Sequence, residues 1–211
     1  KSLIQKCGGE FNIALIDDTS FKYLLPDYSI DFDKLSDPIK KHYRDLATYK
    51  LLYHYGGFIV PSSFLCLKSL KPMYELGLQN TEVFMVENKT HYRSSYKFAP
   101  DPEFMGCVKQ SPIMYRIIQY TEGLNSVDYT SQQDFVGQMQ EQFRHMIKEG
   151  LITPINSKHI GVQKQNKQSI GNHEDENHLS CIFQKLAKVY DPDRLAFDID
   201  LPNYRSTQTL R

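Results

Sequence analysis

Asp45, Gly56, Gly57, Ser62 and Ser63 fall within one stretch, Tyr43–Leu70, which reads YRDLATYKLLYHYGGFIVPSSFLCLKSL. A helix carboxylate such as Asp45 can accept hydrogen bonds from a ligand's hydroxyl or N–H; it can equally sit solvated on the helix surface. Gly56-Gly57 can turn a helix into a strand or let a ligand approach the backbone closely. Pro61-Ser62-Ser63 is either a strand-ending turn or a cradle of hydroxyls and backbone N–H groups for a pyrophosphate. No Asp or Glu occurs from Phe58 to Leu70, so a hard divalent cation finds no carboxylate there. Lys68 and Lys71 read as solvated lysines or as phosphate partners.

Later in the chain, Asp134 opens a helix and reads as an N-cap or as a second site carboxylate. His173-Glu174-Asp175-Glu176-Asn177-His178 is the densest cluster of ligand-type side chains. Its spacing matches no zinc pattern, and a solvated polar loop is the plainer reading. Tyr92, Arg93 and Tyr96 lie on a Tyr-rich loop, where binding residues tend to sit.

The elements around these residues alternate. Residues 2–7 read as a helix ended by Gly8-Gly9. Phe11–Ile16 is a near-continuous apolar run, expected as a strand covered on both faces and closed by Asp17-Asp18. Ser36-Asp37-Pro38 starts a helix, with a capping side chain and Pro in the first turn. That helix runs to Tyr55, carries Ile39, Tyr43, Leu46, Ala47 and Leu51 near one face, and ends at Gly56. Phe58–Val60, Thr81–Glu87 and Phe104–Val108 read as strands. Helices are expected from Ser111-Pro112 through Tyr120, over Ser131–Lys148 and over Cys181–Val189. Leu151-Ile152 and His159–Val162 are short strand candidates. Strands alternating with helices predict an α/β protein with one domain over residues 1–211.

Composition narrows the function classes. With 25 Lys+Arg against 25 Asp+Glu the formal charge is zero, which argues against a generally cationic nucleic-acid binder. No apolar run is long enough to span a membrane, and no signal-peptide pattern is present. The chain opens at Lys1-Ser2-Leu3-Ile4 without Met, inside a helix-like run, which predicts a domain lacking its extreme N-terminus. The cysteines Cys7, Cys66, Cys107 and Cys181 form no C-x-x-C pair. Cys66 and Cys107 sit in apolar sequence and are expected as buried thiols; an even count permits disulfides without requiring them. Asn88-Lys89-Thr90 is a glycosylation triplet of the kind that arises by chance.

The stretch resembles the DXD-containing sugar transferases that include capsular-polysaccharide-synthesis proteins and family-32-like glycosyltransferases. Their signature runs S-D-x-x-R-x-x-x-L-Y-x-Y-G-G-(I/V)-(Y/W)-x-D-x-(D/T), often followed by K-P-L. Asp45, Leu52-Tyr53, Tyr55, Gly56-Gly57 and Lys68-Ser69-Leu70 stand in the matching places. The strand-like Phe11–Asp17 fits more loosely, as does Asp134-Phe135-Val136-Gly137.

The resemblance implies a GT-A-like, Rossmann-type fold with a mixed, mainly parallel sheet. It implies a nucleoside-diphosphate sugar as donor and a glycan or protein hydroxyl as acceptor. Asp45 would lie near the nucleoside, Gly56, Gly57, Ser62 and Ser63 beside the nucleotide-sugar, and Asp134 on the acceptor side. In such families the two DXD carboxylates hold a divalent metal on the diphosphate. Here Pro61 and Ser63 replace them, and Thr48 stands where the family has Arg. Manganese or magnesium is therefore not expected at this position. Two readings stay open: a transferase working without the usual metal, and an inactive relative kept as a binding or structural module.

Overall fold

A computed structural model describes residues 1–26, 28–61, 64–87, 98–127, 131–156 and 159. The helix expected over Cys181–Val189 lies outside these residues, as does all but His159 of the strand expected over His159–Val162.

The helices are α1 (Ser2–Cys7), α2 (Phe21–Leu24), α3 (Ile39–Tyr55), α4 (Lys71–Gly77), α5 (Pro112–Asn125) and α6 (Gln132–Lys148). The strands are β1 (Gly57–Phe58), β2 (Val83–Glu87), β3 (Pro100–Cys107) and β4 (Ile152–Ile155). They form one mixed sheet in the order β1-β3-β2-β4. β3 is antiparallel to both β1 and β2, while β4 runs parallel to β2. The protein is thus α/β with a mixed sheet. Among the described residues two of its three pairings are antiparallel, so the expectation of a mainly parallel sheet is corrected. The reason is local: β2 returns directly as its neighbour β3, and β1 pairs with that returning strand.

Side-chain alternation along the strands builds two apolar clusters. On one face Val83, Met85, Met105, Cys107 and Ile152 pack with residues of α3, α5 and α6. On the other, Phe84, Val86, Phe104 and Ile155 pack with Cys7, Cys66, Leu70 and Met73, from α1, α4 and the segment before α4. A third cluster, Phe21, Leu25, Phe32 and Ala47, covers the outer side of α3.

α3 is therefore buried along two stripes. Tyr43, Ala47 and Leu51 face the segment around α2. Leu46, Tyr49 and Leu52 face the sheet and α5. No side chain caps its start: Pro38 is the N-cap residue, and the Ser36 carbonyl accepts from Lys40 N at 2.9 Å. α5 and α6 do have side-chain caps, from the Ser111 and Ser131 hydroxyls.

Phe11–Ile16 is not a strand. No backbone hydrogen bond among the described residues reaches positions 12–16, and Leu15 is 90% exposed. Only Phe11 is anchored, with its ring against Phe58 and Tyr74. An apolar run has the propensity for a strand, but it becomes one only where a neighbour completes its ladder. Among the described residues no helix is long and apolar enough to cross a membrane.

The reversal from α3 into β1 is the joint on which this packing turns. Gly56 has φ 69° and ψ −160°, a region open essentially to Gly alone. A Cβ there would stand 2.8 Å from the Lys109 backbone nitrogen. Gly57 has φ 89° but open space around it. Gly56→Ala should therefore lose roughly 2–3 kcal/mol of stability, and Gly57→Ala about 1 kcal/mol, from backbone conformation alone. Urea unfolding of the two variants beside the unmodified chain checks both the losses and their order.

Candidate functional site

β1 leads back along α3 towards the end of the sheet where β3 begins. Gly57 is level with Cys107, Phe58 with Gly106, and Ile59 N donates to the Met105 carbonyl at 2.8 Å. That end of the sheet carries acids. Glu87 closes β2 opposite Pro100 and is 1% exposed. Asp101 and Glu103 stand at the start of β3, where the register with β2 is broken by a bulge. The Asp101 side chain accepts from Glu103 N at 2.9 Å and so holds the local bend.

Asp45 faces this acidic end from α3. It is half-buried, and no described hydrogen bond or ion pair reaches its carboxylate. Burial pushes its carboxyl up to about 6; Lys41 on the preceding turn opposes that, and Glu103 adds to it. Lys41 Nζ itself donates to Glu103 Oε1 at 3.1 Å. Burial also raises Asp101. Tyr49, one helical turn beyond Asp45, is held well above the usual phenol value by burial and then by Asp45, Glu103 and Asp101. The tyrosine and the three carboxyls thus share one neighbourhood.

The remaining cations of α3 are engaged. Arg44 Nε and Nη2 donate to the two oxygens of Asp18 at 2.5 and 2.6 Å, and Lys40 approaches the same carboxylate at 3.4 Å. This bidentate clamp ties the chain after Phe11–Ile16 to α3. Thr48 turns its hydroxyl back to the Arg44 carbonyl at 2.7 Å.

α6 closes the neighbourhood. The Phe135 ring stacks on the His42 imidazole with centroids 3.7 Å apart and planes 9° from parallel. Gln140 Nε2 donates to the Pro100 carbonyl at 2.9 Å. His42 is 1% exposed, its Nε2 has no hydrogen-bond partner, and burial followed by Lys41 lowers its pKa.

Asp45 and the helix opened by Asp134 therefore meet at one end of the sheet. Asp134 itself is exposed, and its N–H donates to the Ser131 hydroxyl, so Ser131 and not Asp134 is the N-cap. Gly56 and Gly57 lie at the far end of α3, about 16 Å from Asp45 along the helix axis at 1.5 Å per residue. The close approach that Gly56 permits is occupied by the backbone of Lys109. Pro61 is half-buried, and its carbonyl accepts from Phe64 N at 2.9 Å. Lys68 and Lys71 are exposed. Ser62, Ser63, Tyr92, Arg93, Tyr96, the Asn88 triplet and the His173–His178 cluster lie outside the described residues. Among the described residues no three His, Cys, Asp or Glu side chains converge as a metal site.

Sequence reasoning passed over Lys41, His42, Glu87, Asp101 and Glu103. The available signal was a carboxylate at each end of the polar sequence between two strands: Glu87 before it and Asp101 after it. Comparison of the chain with protein-family models, curated proteins and solved structures finds no match in any of the three.

The raised Asp45 carboxyl has a definite sign in stability. The unfolded chain titrates it near 3.8 and the folded chain near 6. Between those values the folded state holds more protons, so this contribution is full below pH 3.8 and is lost as pH rises through 6. The upper bound is about 3 kcal/mol; screening of a half-buried group reduces it to about 1–2 kcal/mol. His42 acts oppositely, favouring the folded state as pH rises through 6.5. Asp45→Asn should therefore be more stable than the unmodified chain by about 1–2 kcal/mol at pH 7 and equal to it near pH 3.5. Paired denaturation curves at the two pH values isolate Asp45, because His42 is common to both proteins.

Proposed function

We propose that this chain is a glycosyltransferase-like protein with a GT-A-like arrangement, which transfers a sugar from a nucleoside-diphosphate sugar to a hydroxyl acceptor without a DXD-bound metal. The observation that carries the reading is Asp45: a half-buried carboxylate without a hydrogen bond, at the end of the sheet towards which β1 leads. Burial raises the Asp45 carboxyl to about 6, and acids perturbed in this way concentrate at functional sites. The family resemblance of Leu52-Tyr53, Tyr55 and Gly56-Gly57 gives that carboxylate its role, accepting from a ribose hydroxyl or a base N–H.

The electrostatics limit where the diphosphate can lie. Asp45, Asp101 and Glu103 against Lys41 leave the acidic end negative when all four are ionised. A nucleoside, with donors and no charge of its own, suits that surface. A diphosphate carried by that nucleoside must point away from the carboxylates, and its charge has to be stabilised by backbone N–H groups or cationic side chains.

A second reading is favoured by the same negative charge, which disfavours a diphosphate at this end of the sheet. It is a module that keeps nucleoside recognition and has lost transfer.

Binding of a panel of nucleoside diphosphates, with and without manganese, tests the proposal. We expect one of them to bind equally well without metal. Asp45→Ala should weaken it roughly ten- to a hundredfold, since a hydrogen bond to a charged group contributes about 1.5–3 kcal/mol. Binding without sugar turnover selects the second reading. Equal affinity in both proteins removes Asp45 from the site, and no binding across the panel overturns both readings.

A further inference from the structure

Cys7 and Cys66 are 59 positions apart in sequence, yet their Sγ atoms lie 3.7 Å from each other. Both are buried, at 2% and 1% exposure, in the cluster on the α1 and α4 side of the sheet. Their approach is set by more than two flexible side chains. Cys66 N donates to the Ser2 hydroxyl at 3.1 Å, which ties the segment after β1 to the first residue of α1. The Ser69 hydroxyl donates to Glu10, just beyond the end of α1. The Cys66 thiol donates to the Lys68 carbonyl at 3.0 Å, so its own position is fixed. Cys107 is not a competing partner. It lies in the cluster on the opposite face of the sheet, with its thiol on the Leu52 carbonyl at 3.3 Å.

We propose that Cys7 and Cys66 are a disulfide-forming pair, which on oxidation staples α1 to the segment that follows the end of β1. Closing the contact to the covalent length of about 2.05 Å moves the sulfurs together by roughly 1.7 Å, within the reach of side-chain rotation. A low-molecular-weight disulfide such as oxidised glutathione is the oxidant. One cysteine thiolate attacks a glutathione sulfur, forms a mixed disulfide and expels one glutathione thiolate. The second cysteine thiolate attacks the protein sulfur of that mixed disulfide, forms the Sγ–Sγ bond and expels the second glutathione thiolate. The two protein thiol protons end on the two released glutathiones. The protein pair gives up two electrons, and the glutathione disulfide takes them. Burial pushes the Cys66 thiol up to about 11, so little thiolate exists in the folded chain, and the bond forms mainly during folding or when α1 opens.

The test uses the full chain with Cys181→Ser, refolded in a series of glutathione redox buffers, then alkylated and mapped by mass spectrometry. Expected are a peptide linking Cys7 to Cys66, an alkylated Cys107, and a melting temperature roughly 5–10 °C above that of the reduced protein. Cys7→Ser and Cys66→Ser should each abolish both the linkage and the gain. The proposal is overturned if Cys7 and Cys66 are recovered separately, as alkylated or glutathionylated residues, across the whole series. A linkage of either to Cys107, or an oxidised form that melts below the reduced one, overturns it as well. The peptide map decides without reliance on any variant that fails to fold.

Discussion

The chain reverses at Gly56, and the rest of the architecture depends on how closely that reversal is packed. The helix end, the start of β1 and the link from β3 to α5 meet there. Gly56 N closes the last turn on the Leu52 carbonyl at 2.8 Å, and Gln110 N donates to the Tyr53 carbonyl at 2.7 Å. Lys109 passes so near Gly56 that no side chain fits between them. This fixes the direction of β1 against β3 and the seat of α3 across the sheet. It also gives the glycine a structural duty that the family resemblance would have assigned to a ligand.

At the opposite end of α3 the forces are electrostatic and partly unresolved. Arg44 and Lys40 satisfy Asp18, and Lys41 satisfies Glu103, but among the described residues Asp45 has no hydrogen bond or ion pair of its own. A helix could place a neutral residue at that position with no loss of propensity. The stacked His42–Phe135 pair carries a comparable tension, a buried imidazole nitrogen without a partner. Both lie where α3, α6 and the start of β3 converge, and a fold optimised only for stability would keep neither.

Legibility in the sequence followed how local each signal was. α3, α5 and α6 could be read because their starts and stops are written in adjacent residues: Ser111-Pro112, Ser131, Gly56 and Gly150. β2 could be read because it is buried on both faces and apolar from Val83 to Val86. Phe11–Ile16 has the same apolar character but no partner strand among the described residues, and partnership is not a local property. The stripe read along α3, through Ile39, Tyr43, Leu46, Ala47 and Leu51, is split by the fold: Tyr43, Ala47 and Leu51 pack against the segment around α2, whereas Leu46 faces the sheet. The sheet-facing stripe was harder to see because His42 and Tyr49 interrupt its apolar pattern. Of the acidic neighbourhood, Asp45 was singled out in the sequence only through the spacing of the resemblance. Its neighbours Asp101 and Glu103 are brought to it only by the fold, more than fifty positions away in sequence.

The central claim is that Asp45 is a desolvated carboxylate left open for a ligand's donor. Carbon-detected NMR titration of its side chain, with and without the nucleoside diphosphate that binds best, reads this directly. The account predicts a midpoint near 6 in the free protein. It predicts a downward shift on adding the nucleotide, since a hydrogen bond donated to the carboxylate favours its charged form. A free-protein midpoint near 4, or one near 6 that no nucleotide moves, would contradict it.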